Sequence, residues 1–313
     1  MSAASSRDRE VVLHVDGREV RLTHPDRLLW PREGITKARL VEYYLQVAPL
    51  MLPHLADRPL VLTRYPRGIH SPSFYQKQVP HPRPSWVRTV PIAHEQRVVD
   101  YVVADSPATL AWLGNLAAVE IHPWMSTASD PEHPDLLVID LDPDPPSGFE
   151  ESRRVALWLR PALESLGLQA VPKLSGATGV HVCIPLVPRH TYAVTSRVAA
   201  TIGQVLAELR PDLVTAERLV RRRRGRVYVD PYQNLRGKTV VGAYSPRPLP
   251  GAPVSVPVTW EELQHVQPSD FTVANWPRWL PGRRDPLLEA RRRPQSLEPL
   301  LQKGLVEARP ERA

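Results

Sequence analysis

Leu136-Leu-Val-Ile-Asp-Leu-Asp142 sets two carboxylates two residues apart inside an otherwise apolar run. A run of this length and composition reads as a buried strand. Side chains alternate faces along a strand, so Asp140 and Asp142 project together from one side while Leu137, Ile139 and Leu141 enter a core on the other. Two like charges held that close repel, and a divalent cation taking oxygen ligands from both is the simplest relief. The bland alternative is a carboxylate pair capping a strand-to-loop turn, helped by Pro143 and Pro145.

Working outward, the 313 residues suffice for one large or two small domains, and an apolar content of 42% is ordinary for a soluble globular chain. A formal charge of +7 favours a polyanionic partner, nucleic acid first. With Cys183 as its one cysteine the chain has no intramolecular disulfide and no multi-cysteine zinc site, which suits a reducing cytoplasm. Residues 1–10 lack the apolar core of a signal peptide and read as a disordered tail. No run approaches the length of a membrane span, so no membrane partner is expected.

Val11 to Leu22 alternates around Asp16-Gly17 and reads as a hairpin. Thr36 then caps a helix whose Leu40, Val41, Tyr44, Val47, Ala48 and Met51 recur at helical spacing until Pro53 stops it. Strands follow at Leu60–Arg64 and Val98–Val103, a helix from Ser106-Pro107 through Ala118, and a strand at Val119–His122. Beyond the carboxylate strand come a helix Glu151–Leu166 closed by Gly167, the segment Gln169–Lys173, a strand Val180–Leu186, a helix Ala193–Leu209 and a strand Arg226–Asp230. The remainder reads as Pro-rich and Trp-rich loop with short helices. Alternating strands and helices predict a mixed α/β or α+β architecture with sheets covered by helices.

Two further strand-borne polar positions stand out. In Val180-His-Val-Cys-Ile184 the valines and isoleucine share the core face, so His181 and Cys183 face the other way; in Arg226-Val-Tyr-Val-Asp230 the aspartate shares its face with Arg226 and Tyr228. If these strands neighbour the first, the polar positions converge on one cleft, and a third carboxylate would complete a two-cation site for phosphoryl transfer. Taken singly, Asp230 is equally a turn residue before Pro231, and His181 a hydrogen-bonded sheet histidine. Ser175-Gly-Ala-Thr-Gly179 offers two glycines, two hydroxyls and backbone N–H groups in a tight turn, a nest suited to phosphate oxygens, but it lacks the ending of a nucleotide-hydrolase loop. Lys238 and Arg247 would add cations for a triphosphate. Arg221 to Arg224 is either a solvated loop or a contact for a nucleic-acid backbone.

The order Asp-Leu-Asp142, Ser175-Gly-x-x-Gly-x-His181, then hydrophobic-Asp230 resembles the three motifs of the archaeo-eukaryotic primase superfamily, specifically the polymerase domain of bacterial DNA ligase D and its stand-alone relatives. Leu22-Thr-His-Pro-Asp-Arg-Leu-Leu-Trp-Pro31, Arg64-Tyr-Pro-Arg-Gly68, Ser73-Phe-Tyr-Gln-Lys77, Glu120-Ile-His122, Asp230-Pro-Tyr-Gln-Asn-Leu-Arg-Gly-Lys238 and Trp260-Glu-Glu-Leu263 extend the likeness over roughly residues 10 to 290. The resemblance implies an α+β, primase-like fold: two β-sheets packed with flanking helices around an RRM-like catalytic core. It implies a polymerase domain over 11–290, with an N-terminal part over about 11–125, a catalytic part over 126–290, and a basic tail over 291–313.

It also implies a template-directed nucleotidyltransferase, a polymerase or primase that fills or extends DNA ends in non-homologous end joining with two ions of manganese or magnesium. By that likeness Asp140, Asp142 and Asp230 hold the metals and catalyse. His122, Ser175, His181, Gln233, Lys238 and Arg247 bind the incoming NTP or dNTP. Phe74 and Tyr75 stack on template, and Arg27, Lys37 and Arg64 serve DNA, with Lys37 in a pocket for a recessed 5′-phosphate. Expected partners are a Ku-type end-binding protein, in the cytoplasm at the nucleoid, and a separate ATP-dependent DNA ligase, the last because no Lys-x-Asp-Gly adenylation motif occurs.

Two positions depart from the family pattern. Arg27 stands where a second lysine is usual, replacing a point charge by a planar fork. Thr178 replaces a lysine that some members carry, removing one cation from the nucleotide pocket. The competing readings are a metal-dependent phosphohydrolase of Asp-x-Asp type, against which Pro143-Asp144 stands in place of the usual Gly-Thr, and a non-catalytic DNA-end binding module.

Overall fold

A computed structural model of the chain describes residues 10–304. The expected tail at the N-terminus therefore lies, but for Glu10, outside the described residues, as do residues 305–313. The chain divides into two compact units. The first comprises the chain up to Pro123 with Val241–Val254 and Ser269–Arg283; the second comprises Trp124–Val240, Ser255–Pro268 and the chain from Arg284 onward. The sequence reading draws a single boundary near residue 125, whereas the structure returns two later segments to the first unit.

In the first unit β1 (Glu10–Val15) and β2 (Arg18–Thr23) form the hairpin across Asp16-Gly17, both of which take positive φ. A small ladder of β3 (Leu28–Trp30) and β4 (Ile35–Thr36) leads into α1 (Lys37–Leu55). Thr36 caps α1 by accepting from the Arg39 N–H. The periodic residues Leu40, Val41, Tyr44, Val47, Ala48 and Met51 are all buried, and so is Tyr43, whose hydroxyl donates to the Tyr244 carbonyl. Pro53 does not stop this helix. Pro49 and Pro53 each remove an intrahelical bond, but burial of Met51, His54 and Leu55 keeps the last turn on the core.

A sheet ordered β6-β5-β8-β7 follows, made of β5 (Leu60–Arg64), β6 (Phe74–Gln76), β7 (Thr89–Ala93) and β8 (Val98–Val102), with β9 (Ala118–Pro123) also paired to β5. Between β8 and β9 lies α2 (Pro107–Asn115), capped by Ser106 with Pro107 in its first turn. It ends before the predicted Ala118, because Ala117 turns to φ +53° and its carbonyl accepts from the Tyr65 N–H. Gly114 lets α2 lie directly on α1: a Cβ there would stand 2.8 Å from Val41 Cγ2.

The second unit is built on a sheet ordered β11-β12-β10-β14-β13. Its strands are β10 (Leu136–Pro143), β11 (Val171–Leu174), β12 (Val180–Pro185), β13 (Val214–Thr215) and β14 (Val227–Asp230). β10 lies antiparallel between β12 and β14. Helices α3 (Phe149–Ser165) and α4 (Tyr192–Leu209) bring apolar faces of Val155, Leu159 and Leu163 and of Val198, Ala199 and Leu206 to this unit's core. Gly203 of α4 sits on Val229, which shares its side of the sheet with Leu141 across the register, so α4 covers the face opposite the carboxylates. The carboxylate side is not open along its whole length. Leu136 and Val138 at its near end join Met125, Cys183, Tyr192 and Leu287 in an apolar cluster. Cys183, expected beside His181 in a cleft, lies in this cluster instead, and burial pushes its thiol up to about 11.

The described part of the expected C-terminal tail is folded. Residue Gln295 bridges Leu186 at the end of β12, and Leu297 and Leu300 are buried. Among the described residues no helix is long and apolar enough to cross a membrane. Replacing Gly114 by alanine is expected to lower the unfolding free energy by about 1–3 kcal/mol, because the added Cβ would also meet Tyr44 Cδ2 at 3.2 Å and the Val41 backbone Cα at 3.3 Å. Urea denaturation checks this, and an unchanged midpoint would show that α1 and α2 are not in close contact.

Candidate functional site

The register of the second sheet brings the predicted residues together. Asp140 lies directly opposite His181 on β12 and directly opposite Asp230 on β14, while Asp142 lies opposite Tyr228. Opposed residues share a face, so Asp140, Asp142, Asp230 and His181 all project from one side of the sheet. The strand alternation that buries Leu137, Ile139 and Leu141 at 0% exposure forces the acids outward at the strand's end.

Each carboxylate has its own donor. His181 Nε2 stands 3.5 Å from Asp140 Oδ1. Arg223 Nη1 donates to Asp142 Oδ2 at 2.9 Å, with its guanidinium 4.0 Å over the Tyr228 ring. Asp230 accepts from the Tyr232 N–H and from Gln233 Nε2, both at 2.9 Å, and from the Tyr228 hydroxyl at 3.3 Å. Through the Tyr232 bond it caps the 3-10 turn Pro231–Asn234. Burial, then the neighbouring Asp230 carboxylate, raises the Tyr228 hydroxyl above the ordinary phenol range.

Among the described residues no group of three His, Cys, Asp or Glu side chains is gathered as a ready cage for a metal ion. The donor chemistry nevertheless fits: three carboxylates on one face, on adjacent strands, with Asp142 exposed, are the oxygen ligands that hard divalent cations take. As the chain stands, Arg223 holds Asp142 and the 3-10 turn holds Asp230.

The turn Ser175–Gly179 corrects one expectation. The Ser175 side chain is buried, and its Oγ accepts from the N–H groups of Ala177 and Gly179, both at 3.1 Å. Those two N–H groups therefore close the turn on itself instead of offering a nest to a phosphate. Gly179 is required by contact, since a Cβ would stand 2.8 Å from the Leu141 carbonyl oxygen of β10. The basic run is also divided. Arg223 serves Asp142, Arg222 pairs with Glu217, and the following Arg224 takes φ +55°. Lys238 is exposed, with its backbone N–H on the Leu235 carbonyl.

Within the first unit, β5, β6 and β9 sort the remaining candidates onto two faces. Thr63 lies opposite both Tyr75 and Glu120. His122 is on that side, with its Nε2 at 3.2 Å from Thr63 Oγ1, 3.8 Å from Glu120 Oε2, and its ring against Tyr75. Arg247 Nε donates to Glu120 Oε1 at 2.8 Å. Burial raises the Glu120 carboxyl, but the hydrogen bonds and charges of His122 and Arg247 outweigh it and leave the group below its usual range. Glu120 was not singled out from the sequence as a site residue. Its signal was there, since Glu-x-His on a strand sets both side chains on one face.

The opposite face carries Arg64, whose guanidinium lies 4.9 Å over the Phe74 ring and donates to the Leu116 carbonyl and Gln76. Phe74 and Tyr75 are both exposed, at 44% and 54%, and turn to opposite sides of β6. Lys37 is buried, and its ammonium donates to Thr23 Oγ1, to the Asn115 carbonyl and to Asn115 Oδ1, the full complement an ammonium can donate. Arg27 donates to the Pro66 carbonyl. Burial, then the charges of Arg27 and Arg64, lowers Lys37 to about 8. The family likeness gives Lys37 a pocket for a recessed 5′-phosphate; in the structure its ammonium ties β2 to the end of α2.

Lys37 also makes stability depend on pH. Between about 8 and its ordinary 10.5 the unfolded chain binds more protons than the folded one, so stability rises with pH through that window. The difference in unfolding free energy between the natural chain and its Lys37→Met variant, followed by urea titration from pH 7.5 to 10.5, is expected to shift in favour of the natural chain as pH rises. A flat difference would show that the ammonium keeps its ordinary affinity for protons.

A family model described as LigD, primase-polymerase domain matches residues 36–287. The multifunctional non-homologous end joining protein LigD of Mycolicibacterium smegmatis is 34% identical over 246 residues, covering 78% of this chain and 32% of that protein. The bifunctional LigD of Bacillus subtilis is 33% identical over 258 residues, covering 82% of this chain and 41% of that protein. The polymerase domain of Mycobacterium tuberculosis ligase D, solved in complex with DNA, superposes with a TM-score of 0.80 at 30% identity, covering 88% of this chain and 99% of that one. The chain spans about a third of the length of the mycobacterial relatives.

Proposed function

The chain belongs to the LigD primase-polymerase domain family, whose α+β fold it shares, and we propose that it is a template-directed nucleotidyltransferase that fills or extends DNA ends during non-homologous end joining. The observation that carries the reading is the row in which His181, Asp140 and Asp230 stand opposite one another across three strands, with Asp142 beside them on the same face. A phosphohydrolase reading of the Asp-x-Asp pair is not favoured by the family match, and a non-catalytic end-binding module has no need of all three carboxylates.

In this reading Asp140, Asp142 and Asp230 hold two divalent cations, manganese or magnesium. Such ions, when bound, lower the pKa of a primer 3′-hydroxyl and neutralise charge on the pyrophosphate leaving group. The chain's own work is to position. To hold a cation Asp142 would give up its bond to Arg223, which also packs over Tyr228. His181 donates to a phosphate of the incoming NTP or dNTP, and Gln233, next to Asp230, contacts its sugar. His122 and Arg247, oriented by Glu120 within the first unit, are the nucleotide-binding candidates there. Phe74 and Tyr75 offer exposed rings to template bases. Arg27, Lys37 and Arg64 attract a recessed 5′-phosphate. A Ku-type end-binding protein, a separate ATP-dependent ligase and a cytoplasmic, nucleoid-associated setting complete the proposal.

Primer extension on a gapped duplex with a 5′-phosphate, comparing manganese with magnesium and NTP with dNTP, tests the reading. Asp142→Ala is expected to lower nucleotide addition by at least about 100-fold, while DNA affinity by fluorescence anisotropy stays near that of the natural chain; undiminished extension refutes the assignment. Arg27→Ala is expected to weaken binding to 5′-phosphorylated gaps by about fivefold to tenfold and to leave unphosphorylated gaps nearly unaffected. Equal loss on both substrates counts against the 5′-phosphate role.

A further inference from the structure

The row of opposed residues does not stop at His181. Lys173 on β11 lies directly opposite it, and the lysine side chain is buried at 3% exposure. Its Nζ stands 2.7 Å from His181 Nδ1 and 2.7 Å from Ser255 Oγ. Ser255 Oγ donates in turn to the Leu174 carbonyl at 2.7 Å, so the serine hydrogen is committed and its oxygen receives from Lys173. A charged ammonium has donors only. Nδ1 must then be bare, and the proton of the neutral ring must sit on Nε2, the atom that faces Asp140.

We propose that Lys173 is a positioning residue that fixes His181 as the Nε2–H tautomer and aims its single N–H onto the carboxylate face. The role toward a nucleotide rests on the polymerase reading above. An N–H pointing outward meets a phosphate oxygen as a donor, whereas the other tautomer would present a lone pair to the same anion. Lys173 itself stays buried and acts through the ring by way of Nδ1. Ser255 Oγ receives a second N–H of the ammonium and so helps to hold it at the histidine.

Histidine tautomers can be read without any turnover. Long-range proton–nitrogen correlation spectra of the 15N-histidine-labelled full chain, free of metal and nucleotide, assign the His181 signals by their loss in His181→Gln. The proposal expects the Nε2-protonated, Nδ1-bare pattern for His181 in the natural chain and a mixture or the opposite tautomer in Lys173→Met. An Nδ1-protonated His181 in the natural chain overturns it, whether or not the variant folds. In primer extension, Lys173→Met is expected to raise the nucleotide KM about tenfold, with DNA affinity unchanged, and Ser255→Ala to raise it less. Unaltered nucleotide KM in a folded Lys173→Met also overturns the proposal. A natural chain that extends no primer would sink the polymerase reading alone, since the spectrum decides the tautomer separately.

Discussion

Four polar side chains stand in one line across four neighbouring strands: Lys173, His181, Asp140 and Asp230. Directly opposed residues on antiparallel strands have Cβ atoms about 4.5–5.5 Å apart, close enough that like charges destabilise the pair. The line is tolerable because its charges are graded. Lysine backs the histidine, the histidine backs the first aspartate, and the second aspartate is turned to a backbone N–H and a glutamine amide. Nothing in this line could be moved by one residue. A slip of β10 would exchange Asp140 for Ile139 or Leu141 and bury the acids against α4, so the apolar face enforces the polar one.

The first unit uses the same device with different residues. Its sheet separates Tyr75, Thr63, Glu120 and His122 on one side from Phe74 and Arg64 on the other. Glu120 is the counterpart of Lys173 in this sense: each is a buried group of one sign that holds a neighbour of the opposite or adaptable kind in place. Lys37 differs, because its three acceptors are neutral and its neighbours Arg27 and Arg64 repel it. That leaves a buried cation without an anion, which attracts negative charge to the neighbourhood more strongly than a paired lysine would.

Much of this was legible in the residues. The carboxylate strand, the hairpin, α1 through α4 and the strands bearing His181 and Asp230 announce themselves through long apolar periodicity and capping residues. Strands β3, β4, β6 and β13 are two or three residues long and carry no period to read. Pro91 hides β7, and Pro53 suggests a helix end that burial of Leu55 overrides. The candidate acids were recoverable because a two-residue spacing fixes a face. The inward turn of the Ser175 hydroxyl, the burial of Lys37 and the partnership of Lys173 with Ser255 were not, because each depends on a contact between residues far apart in the chain or on the direction a side chain takes within a turn.

The turn Ser175–Gly179 sets the offset between β11 and β12 and thereby decides which residue meets His181. It is closed internally by its serine and pressed against β10 at its last glycine. Such a link behaves as a ruler. Indels elsewhere in the chain alter a surface, but one here would re-index an entire edge of the sheet, leaving a protein that folds and yet lacks its line of polar groups. Chimeras between relatives should therefore take their seams outside residues 171–185, transplanting both strands and the bend between them as a single cassette.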